Sequence, residues 1–392
     1  VRLIAGPDLD PAQAWAGAAL VTTSPSINPD YPTTEPRLRA ALRALVDARR
    51  GGDRSVPALV SEPDLFLRLC PAPTIGVTGT KGKTTTSSLL AALLAGDPSH
   101  PVVLGGNIGV PVLDLLRDPE PEVYVLELSS FQLETTASLK AYAATVLNIS
   151  PDHMDRYADQ AEYAAAKARI FRGAGSMILN ADDPVVLAMR EAGRTTRHFG
   201  ANPPAKDFDY GLVTHAGETW LARGARPLMP ASDVPLPGRH NLINVLAAMA
   251  LAEVMHVPLD AMQRAVAKFR GLHHRTELVA EHNGVRWIDD SKGTNVGATA
   301  AALNGMDVPV ILIAGGDGKG ARYRRVDFAP PTTPDIKTGG RFRLILATPG
   351  IFCGGWLPER VSKQDDGSHR LIGDGFTARL VCTSVARHDV IS

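Results

Sequence analysis

Residues 75–86 read IGVTGTKGKTTT, a strand-like run that reaches Thr78, a glycine-rich turn, and a GKT that opens the helical pattern TTSSLLAALL. The common phosphate loop, GxxxxGK[ST], sets its first glycine five positions before the second. Five before Gly82 stands Val77, and the glycines fall instead at Gly76 and Gly79. The residue types still suit phosphate. Gly79 and Gly82 let backbone N–H groups turn inward around phosphate oxygens. Lys83 adds a point charge at the β- and γ-phosphates, and Thr84 a hydroxyl for Mg²⁺. The helix that starts here aims its positive end at the same anions. A glycine turn that merely caps a helix is the bland alternative. Strand and helix both fall where a phosphate loop needs them, which favours a nucleotide site. The loop itself says only ATP or GTP.

Working outward, the chain of 392 residues has room for two or three domains. Apolar residues make up 44 % and charged residues 21 %, as in an ordinary globular protein. The 41 basic and 41 acidic residues cancel, so no net charge draws the chain to nucleic acid or an anionic membrane. Cys70, Cys353 and Cys382 are far apart and odd in number, which suggests a reducing compartment and no zinc site. The start, VRLIAGPDLDP, lacks a signal-peptide core, and no apolar run nears the ~20 residues that span a bilayer. The expectation is a cytoplasmic protein without nucleic-acid or membrane partners, and a monomer.

The chain reads as α/β throughout. Residues 1–72 offer a strand in AALVTT, a helix in RLRAALRALVDARR with Leu38, Leu42, Leu45 and Val46 on one face, and a strand in VPALV. From Thr74 onward, TIGVT, PVVLGG, VYVLELS, AATVLNIS and SMILNA are strands separated by helices, the pattern of a parallel sheet covered on both faces. DYGLVTHAGETWLAR reads as a hairpin inserted on the surface, and NLINVLAAMALAEVM and LDAMQRAVAKF as two amphipathic helices closing a domain. A third unit begins near Gly271, with strands in GVRWIDDS and PVILIAGG around a helix in NVGATAAAL. Residues 321–392 show one strand, RLILAT, and no helix.

Several residues outside the loop carry chemistry. Glu127 ends an apolar strand, where a parallel sheet places a metal ligand; beside a phosphate loop that role outweighs a solvated acid. NISPDHMDRY holds His153 and two acids in a loop, where a lone histidine is more often packing than ligand. Lys167, in AAAKARIF, reads from composition as a solvated helix lysine. WIDDSKGTN (287–295) gathers paired carboxylates, Lys292 and Thr294 at a strand end, and GGDGKG (315–320) repeats the theme with Asp317 and Lys319. Adjacent strand ends are where α/β folds bind ligands.

Taken together, these segments resemble the Mur ligases, an ATP-dependent amide-bond-forming family of peptidoglycan synthesis with a shortened GTxGKT loop. GGNIG, ELSSFQLE, NISPDHMDRY, GRHNLINVLAA, FRGLHHRTE and GVRWIDDSKGTN are similar to its D-glutamate-adding branch over roughly residues 20–320. The resemblance implies a three-domain fold: a partial N-terminal Rossmann-like UDP-binding domain (1–72), a central ATPase domain (73–270) and a C-terminal Rossmann-like amino-acid domain (271–392). Its partners would be UDP-N-acetylmuramoyl-L-alanine and D-glutamate, and its cofactors ATP and Mg²⁺ at two sites. Gly79, Thr80, Gly82, Lys83, Thr84 and Thr85 would hold the ATP phosphates, Asn241 the adenine, and Arg275 and Asp290 ribose and phosphate. Thr84 and Glu127 would bind one Mg²⁺, and His153 with a CO₂-carbamylated Lys167 the second. Lys83, His153 and Lys167 would thus serve catalysis. Ser24, Asn107, Ser129, Gln132 and His153 would cradle the UDP-sugar, and Thr294 and Lys319 would grip D-glutamate.

The chain as written begins after the family's uridine-holding strand and turn, and 321–392 carries nothing like the family's later segments. A frame change near residue 320 is the expectation drawn from that contrast. A catalytically impaired remnant, or a paralogue using another amino acid, are the alternative readings.

Overall fold

The computed structural model describes residues 10–96, 101–116, 119–282 and 285–291, together with the strand segments 310–314, 342–347, 360–363, 369–373 and 376–380. The chain divides into two compact units, one of residues 1–236 with 241–270, the other of 237–240 with 271–392.

In the first unit, a short helix α1 (Pro11–Ala14) precedes β1 (Leu20–Val21), α2 (Pro36–Arg50), β2 (Ala58–Leu59) and α3 (Glu62–Leu69). The expected strands of this region shrink to two residues each, paired in parallel. Helix α2 buries Leu42 and Leu45 on the face that the sequence period marks. Residues 10–72 therefore pack within the first unit.

The frame of the site is β3 (Thr74–Thr78), α4 (Lys83–Ala95), β4 (Val102–Gly106), β5 (Val123–Glu127), α5 (Ser130–Thr135), β6 (Ala143–Val146), α6 (Gln160–Ala168) and β7 (Ser176–Asn180). A one-turn helix α7 (Pro184–Leu187) leads to β8 (Thr196–Phe199), and β9 (Tyr210–His215), β10 (Glu218–Arg223) and β11 (Arg226–Pro230) follow. These strands form one sheet of order β11-β10-β9-β8-β7-β6-β3-β5-β4. Pairs from β4 to β9 are parallel, and β9, β10 and β11 are antiparallel.

Two expectations change here. The 209–223 hairpin is no surface insertion, because β9 continues the main sheet, and the pair buries Tyr210 on β9 and Leu221 and Ala222 on β10. Strands β8 and β11 also extend it; TRHF and RPLMP are too charged or proline-marked to read as strands alone.

Both sheet faces are covered, as a parallel sheet requires. Helix α8 (Arg239–Val254), α9 (Leu259–Lys268) and α4 close one face over Leu89, Leu93, Val245 and Met262. Helix α8 is not amphipathic: apart from its first turn and a few half-buried positions it is buried nearly all round, as a helix within a core is. The other face packs Phe66, Tyr124, Leu133, Tyr163 and Phe171. Strand order reverses at β3, so a crevice opens at the C-terminal ends of β3, β5 and β6.

The second unit contains β12 (Glu277–His282), β13 (Val285–Asp289), β14 (Val310–Ala314) and β15 (Phe342–Ala347), in the order β12-β13-β15-β14. Strand β15 lies parallel to β13 and β14, while β12 is antiparallel to β13. Three further strands, β16 (Arg360–Lys363), β17 (His369–Gly373) and β18 (Phe376–Leu380), form an antiparallel sheet. Among the described residues of 321–392 there are four strands, where sequence pattern showed one. The helix expected over 295–303 lies outside the described residues.

Candidate active site

The loop between β3 and α4 is held by one distant segment, 148–150, through its backbone and the Asn148 side chain. Thr80 N–H donates to the Asn148 carbonyl (2.9 Å), Lys81 N–H to Asn148 Oδ1 (2.8 Å), and Asn148 Nδ2 returns to the Lys81 carbonyl (3.1 Å). Thr80 Oγ1 donates to the Ser150 carbonyl (3.2 Å) and accepts from Ser150 N–H (3.0 Å). The Thr80 hydroxyl is therefore committed to the protein. Lys83 Nζ donates to the carbonyls of Gly79 (2.9 Å) and Thr80 (3.1 Å), which parks its charge over the loop. Gly82 has φ 81°, and any Cβ there would collide with the Asn244 side-chain oxygen. A Cβ on Gly79 would press on Leu147. Both glycines are thus required sterically. Thr84 and Thr85 lie half-buried in the first turn of α4, where backbone N–H groups lack helical partners.

Glu127 ends β5, opposite Val77 of β3 and Gly106 of β4. It is 2 % exposed. Asn107 grips it twice, through N–H to the Glu127 carbonyl (2.7 Å) and Nδ2 to Oε1 (3.1 Å). The other carboxylate oxygen, Oε2, is buried with no hydrogen-bond partner. A buried carboxylate oxygen left so is costly unless a ligand completes it. Hard oxygen donors from a carboxylate and the Thr84 hydroxyl are those that Mg²⁺ prefers, so these residues fit that ion. Asn107, expected on the UDP-sugar, also braces the Glu127 carboxylate.

Lys167 is the largest departure from composition. It is 2 % exposed, not solvated. Its Nζ lies 4.7 Å from the Tyr163 ring centroid and donates to Thr78 Oγ1 at 3.5 Å. Thr78 Oγ1 in turn donates to the Leu128 carbonyl (2.6 Å), and the Tyr163 hydroxyl lies 3.3 Å from Thr80 Oγ1. Burial holds the Lys167 amine well below the ordinary lysine range; Lys83 lowers it further, and Asp152 and Glu127 oppose the shift. Those partners place Lys83, Asp152, Glu127 and Lys167 in one electrostatic neighbourhood. Burial also lowers Lys81, again opposed by Asp152.

His153 sits on the exposed rim in a left-handed turn (φ 56°), its ring 4.8 Å from that of Phe131. Its Nε2 is 3.9 Å from Asp152 Oδ2, beyond a hydrogen bond. Ser129 and Gln132 satisfy one another as the capping box of α5: Ser129 N–H donates to Gln132 Oε1 (3.0 Å), and Gln132 N–H to Ser129 Oγ (3.2 Å). Ser24 is exposed, with Oγ 3.1 Å from Ser26 Oγ.

Asn241, in the first unit, is buried and accepts from Asn244 Nδ2 (3.2 Å). Arg275 and Asp290 belong to the second unit. Asp290 accepts from Thr276 N–H (2.9 Å), and burial raises its carboxyl above the usual range. Nearby, His274, Glu277 and Asp289 bring ligand-type atoms within 4.8 Å, but they bond each other: His274 Nδ1 to Asp289 Oδ2 (2.6 Å) and His274 N–H to Glu277 Oε2 (2.8 Å). Thr294, Lys319 and Lys292 lie outside the described residues.

Sequence reasoning missed Asn148, Asn244 and Tyr163. Asn148 and Tyr163 stand in or beside segments already singled out, and Asn244 follows Asn241 by three positions on one helix face.

Comparison with known proteins agrees with this geometry. Residues 77–252 match the model of the Mur ligase middle domain. The UDP-N-acetylmuramoylalanine–D-glutamate ligase of Nitrosococcus oceani is 50 % identical over 313 residues, covering 79 % of this chain and 65 % of that protein. The ligase of the same name from Methylobacillus flagellatus is 46 % identical over 388 residues, covering 95 % of this chain and 80 % of its own length. That match is too wide to stop at residue 320. By fold, the chain is similar to the MurF ligase of Thermotoga maritima in complex with ADP (TM-score 0.54, 18 % identity, 77 % of this chain and 88 % of that one). Sheet, phosphate loop and buried strand-end acid lie in the matched middle domain, which places the chain in the Mur ligase class. Within that class, the chain belongs to the family of UDP-N-acetylmuramoylalanine–D-glutamate ligases. The matched region spans just under two thirds of the N. oceani protein.

Proposed function

We propose that this chain joins D-glutamate to UDP-N-acetylmuramoyl-L-alanine at the expense of ATP, as a monomeric cytoplasmic enzyme of peptidoglycan precursor synthesis. One observation carries the chemistry: a buried Glu127 carboxylate, fixed on one oxygen by Asn107 and open on the other, at the strand end beside the phosphate loop. The names of the relatives supply the substrates, and the ADP complex of the T. maritima ligase supports the nucleotide. Among the described residues, no helix is long and apolar enough to cross a membrane.

A carboxylate is a poor electrophile. The alanyl carboxylate of the substrate attacks the γ-phosphorus, the β–γ bridging bond breaks, and ADP leaves with the electron pair. The amine of D-glutamate then attacks the resulting acyl phosphate, loses a proton, and displaces phosphate. Loop N–H groups after Gly79 hold the phosphates, and Lys83 swings its ammonium from the loop carbonyls to the transferring group. Mg²⁺, held by Thr84 and Glu127 and by His153 and Lys167 at a second position, would offset the charge gathered between two anions.

Lys167 reaches a cation through its depressed basicity. A neutral amine adds to CO₂, forming a C–N bond and releasing a proton, and the product carbamate is an oxygen ligand. Asn241 serves adenine, and Arg275 and Asp290 serve ribose and phosphate. Ser24, Asn107, Ser129, Gln132 and His153 face the UDP-sugar, and Thr294 and Lys319 hold D-glutamate. In this reading residues 1–72 act as the UDP-side domain, 73–270 as the ATPase and 271–392 as the amino-acid domain.

The test is phosphate release from ATP with UDP-N-acetylmuramoyl-L-alanine, with and without D-glutamate. Release that requires D-glutamate is expected. Release that ignores it, or that needs another amino acid, sinks the assignment.

A further inference from the structure

Away from the phosphates, the first unit buries an ion pair that no step above uses. Arg156 and Glu134 have side chains 1 % and 2 % exposed and bond directly through Arg156 Nη2. The Arg156 guanidinium lies between two rings, 4.2 Å from the Tyr31 centroid and 4.1 Å from that of Phe131. Its Nη1 donates to the Ser26 carbonyl at 3.0 Å. Glu134 also accepts from the Tyr157 hydroxyl and from Asn28 Nδ2 (3.2 Å), while its own carbonyl accepts from Arg169 Nη1 (2.6 Å).

Three segments therefore meet on one pair. Ser26, Asn28 and Tyr31 come from the loop that carries Ser24. Glu134 and Phe131 come from α5, whose first residues are the Ser129 capping box. Arg156 and Tyr157 come from the turn that starts at His153, whose carbonyl accepts both of their N–H groups (2.9 and 3.1 Å). The left-handed His153 backbone and its ring contact with Phe131 are held by the same arrangement.

Net stability does not explain such a pair. Taking two charges out of water costs about as much as their attraction returns, and an apolar pair of equal volume often serves as well. What an apolar pair lacks is direction. A guanidinium presents five donors in one plane, so it fixes a carboxylate, a carbonyl and two rings at once; a lysine has one nitrogen to give.

We propose that Arg156 is a positioning residue: paired with Glu134, it locks the 24–31 loop and the His153 turn into one rigid wall for the UDP-sugar substrate. The inference rests on the reading of Ser24 and His153 as substrate-side groups.

The experiment uses the full chain and two variants, Arg156→Lys, which keeps the buried charge, and the double variant Arg156→Met/Glu134→Leu, which removes both charges together. Hydrogen–deuterium exchange at 24–31 and 153–157 is read beside the KM values for UDP-N-acetylmuramoyl-L-alanine and for ATP. Exchange at both segments is expected to quicken at least tenfold. KM for the UDP-substrate is expected to rise at least tenfold in the double variant and less in Arg156→Lys, with KM for ATP within twofold. Unchanged exchange at either segment overturns the proposal, and so does a parallel rise in both KM values, which reports general loosening. A wild-type chain that fails to ligate counts against the function alone, since the exchange comparison needs no turnover.

Discussion

Lys83 and Lys167 both bring a nitrogen to the C-terminal end of β3, one to the Gly79 and Thr80 carbonyls and the other to the Thr78 hydroxyl. The regions around them are built on opposite plans. The loop at 79–84 is local: its glycines, its lysine and its helix N-terminus follow one another in the chain, and its donors are mostly backbone N–H groups. The arc facing it is assembled from separate strand ends and a helix. Asn107 follows β4, Glu127 ends β5, Asn148 follows β6 and Lys167 sits on α6. A local site advertises its chemistry in its spacing. An assembled site takes its chemistry from burial, and identical side chains there acquire different states. Lys83 is half-buried and stays beside carbonyl oxygens, whereas Lys167 is desolvated beside another cation and loses basicity.

The comparison is most easily broken with the largest effect. Lys83→Ala removes the charge nearest the transferring phosphoryl group, and kcat for ligation is expected to fall by about a thousandfold or more. Steady-state phosphate release measures it, and a variant that keeps most of the rate would unseat the role of the loop lysine.

Asn107→Ala addresses the assembled arc. Glu127 would keep its charge but lose the donor that orients it, and loss of such an orienting bond typically weakens metal binding by about 10–100-fold. The concentration of Mg²⁺ giving half-maximal rate is expected to rise accordingly. A rise in KM for the UDP-substrate with no change in Mg²⁺ dependence would show that Asn107 serves the substrate alone.

Gly82→Ala tests the backbone plan. The new Cβ meets Asn244 in a conformation with positive φ, which costs roughly 1–3 kcal/mol of local strain. Nucleotide affinity measured by titration calorimetry is expected to drop several-fold to a hundredfold. Binding at the wild-type strength would show that the turn tolerates a side chain.

The smallest effect separates the two lysines by pH. The Lys167 amine is depressed in the folded protein relative to its unfolded value of 10.5. Unfolded chain then holds more protons below that value, so folding stability falls as pH drops from above 10.5 toward the folded pKa. Lys167→Met, in CO₂-free buffer, is expected to melt a few degrees higher than wild type at pH 7, with the gap closing as pH approaches 10. A variant less stable at pH 7, with a gap independent of pH, would mean that Lys167 is charged in the fold.

Much of the frame was legible because its signals are local. TIGVT forms β3 residue for residue, and the apolar runs before Glu127, Val146 and Asn180 form the neighbouring strands. The helix face of Leu42 and Leu45 is buried as its period requires. Legibility failed where pattern and environment part. TRHF is a strand because β7 and β9 flank it, and α8 is buried nearly all round, so no amphipathic period describes it. Nothing along the chain marks Arg156, whose place is set by Glu134, Tyr31 and Phe131 closing around it from other segments.

The sequence by itself determined the phosphate loop, the alternation that makes a parallel sheet, and the family through motifs carried in contiguous residues. Tertiary structure alone decided that Lys167 is buried, that Asn107 holds Glu127 with one oxygen left open, and that Arg156 joins three segments. The reason is physical: backbone geometry and turn chemistry depend on neighbours along the chain. Desolvation, charge coupling and orphaned hydrogen bonds depend on neighbours in space, which only the folded sheet brings together.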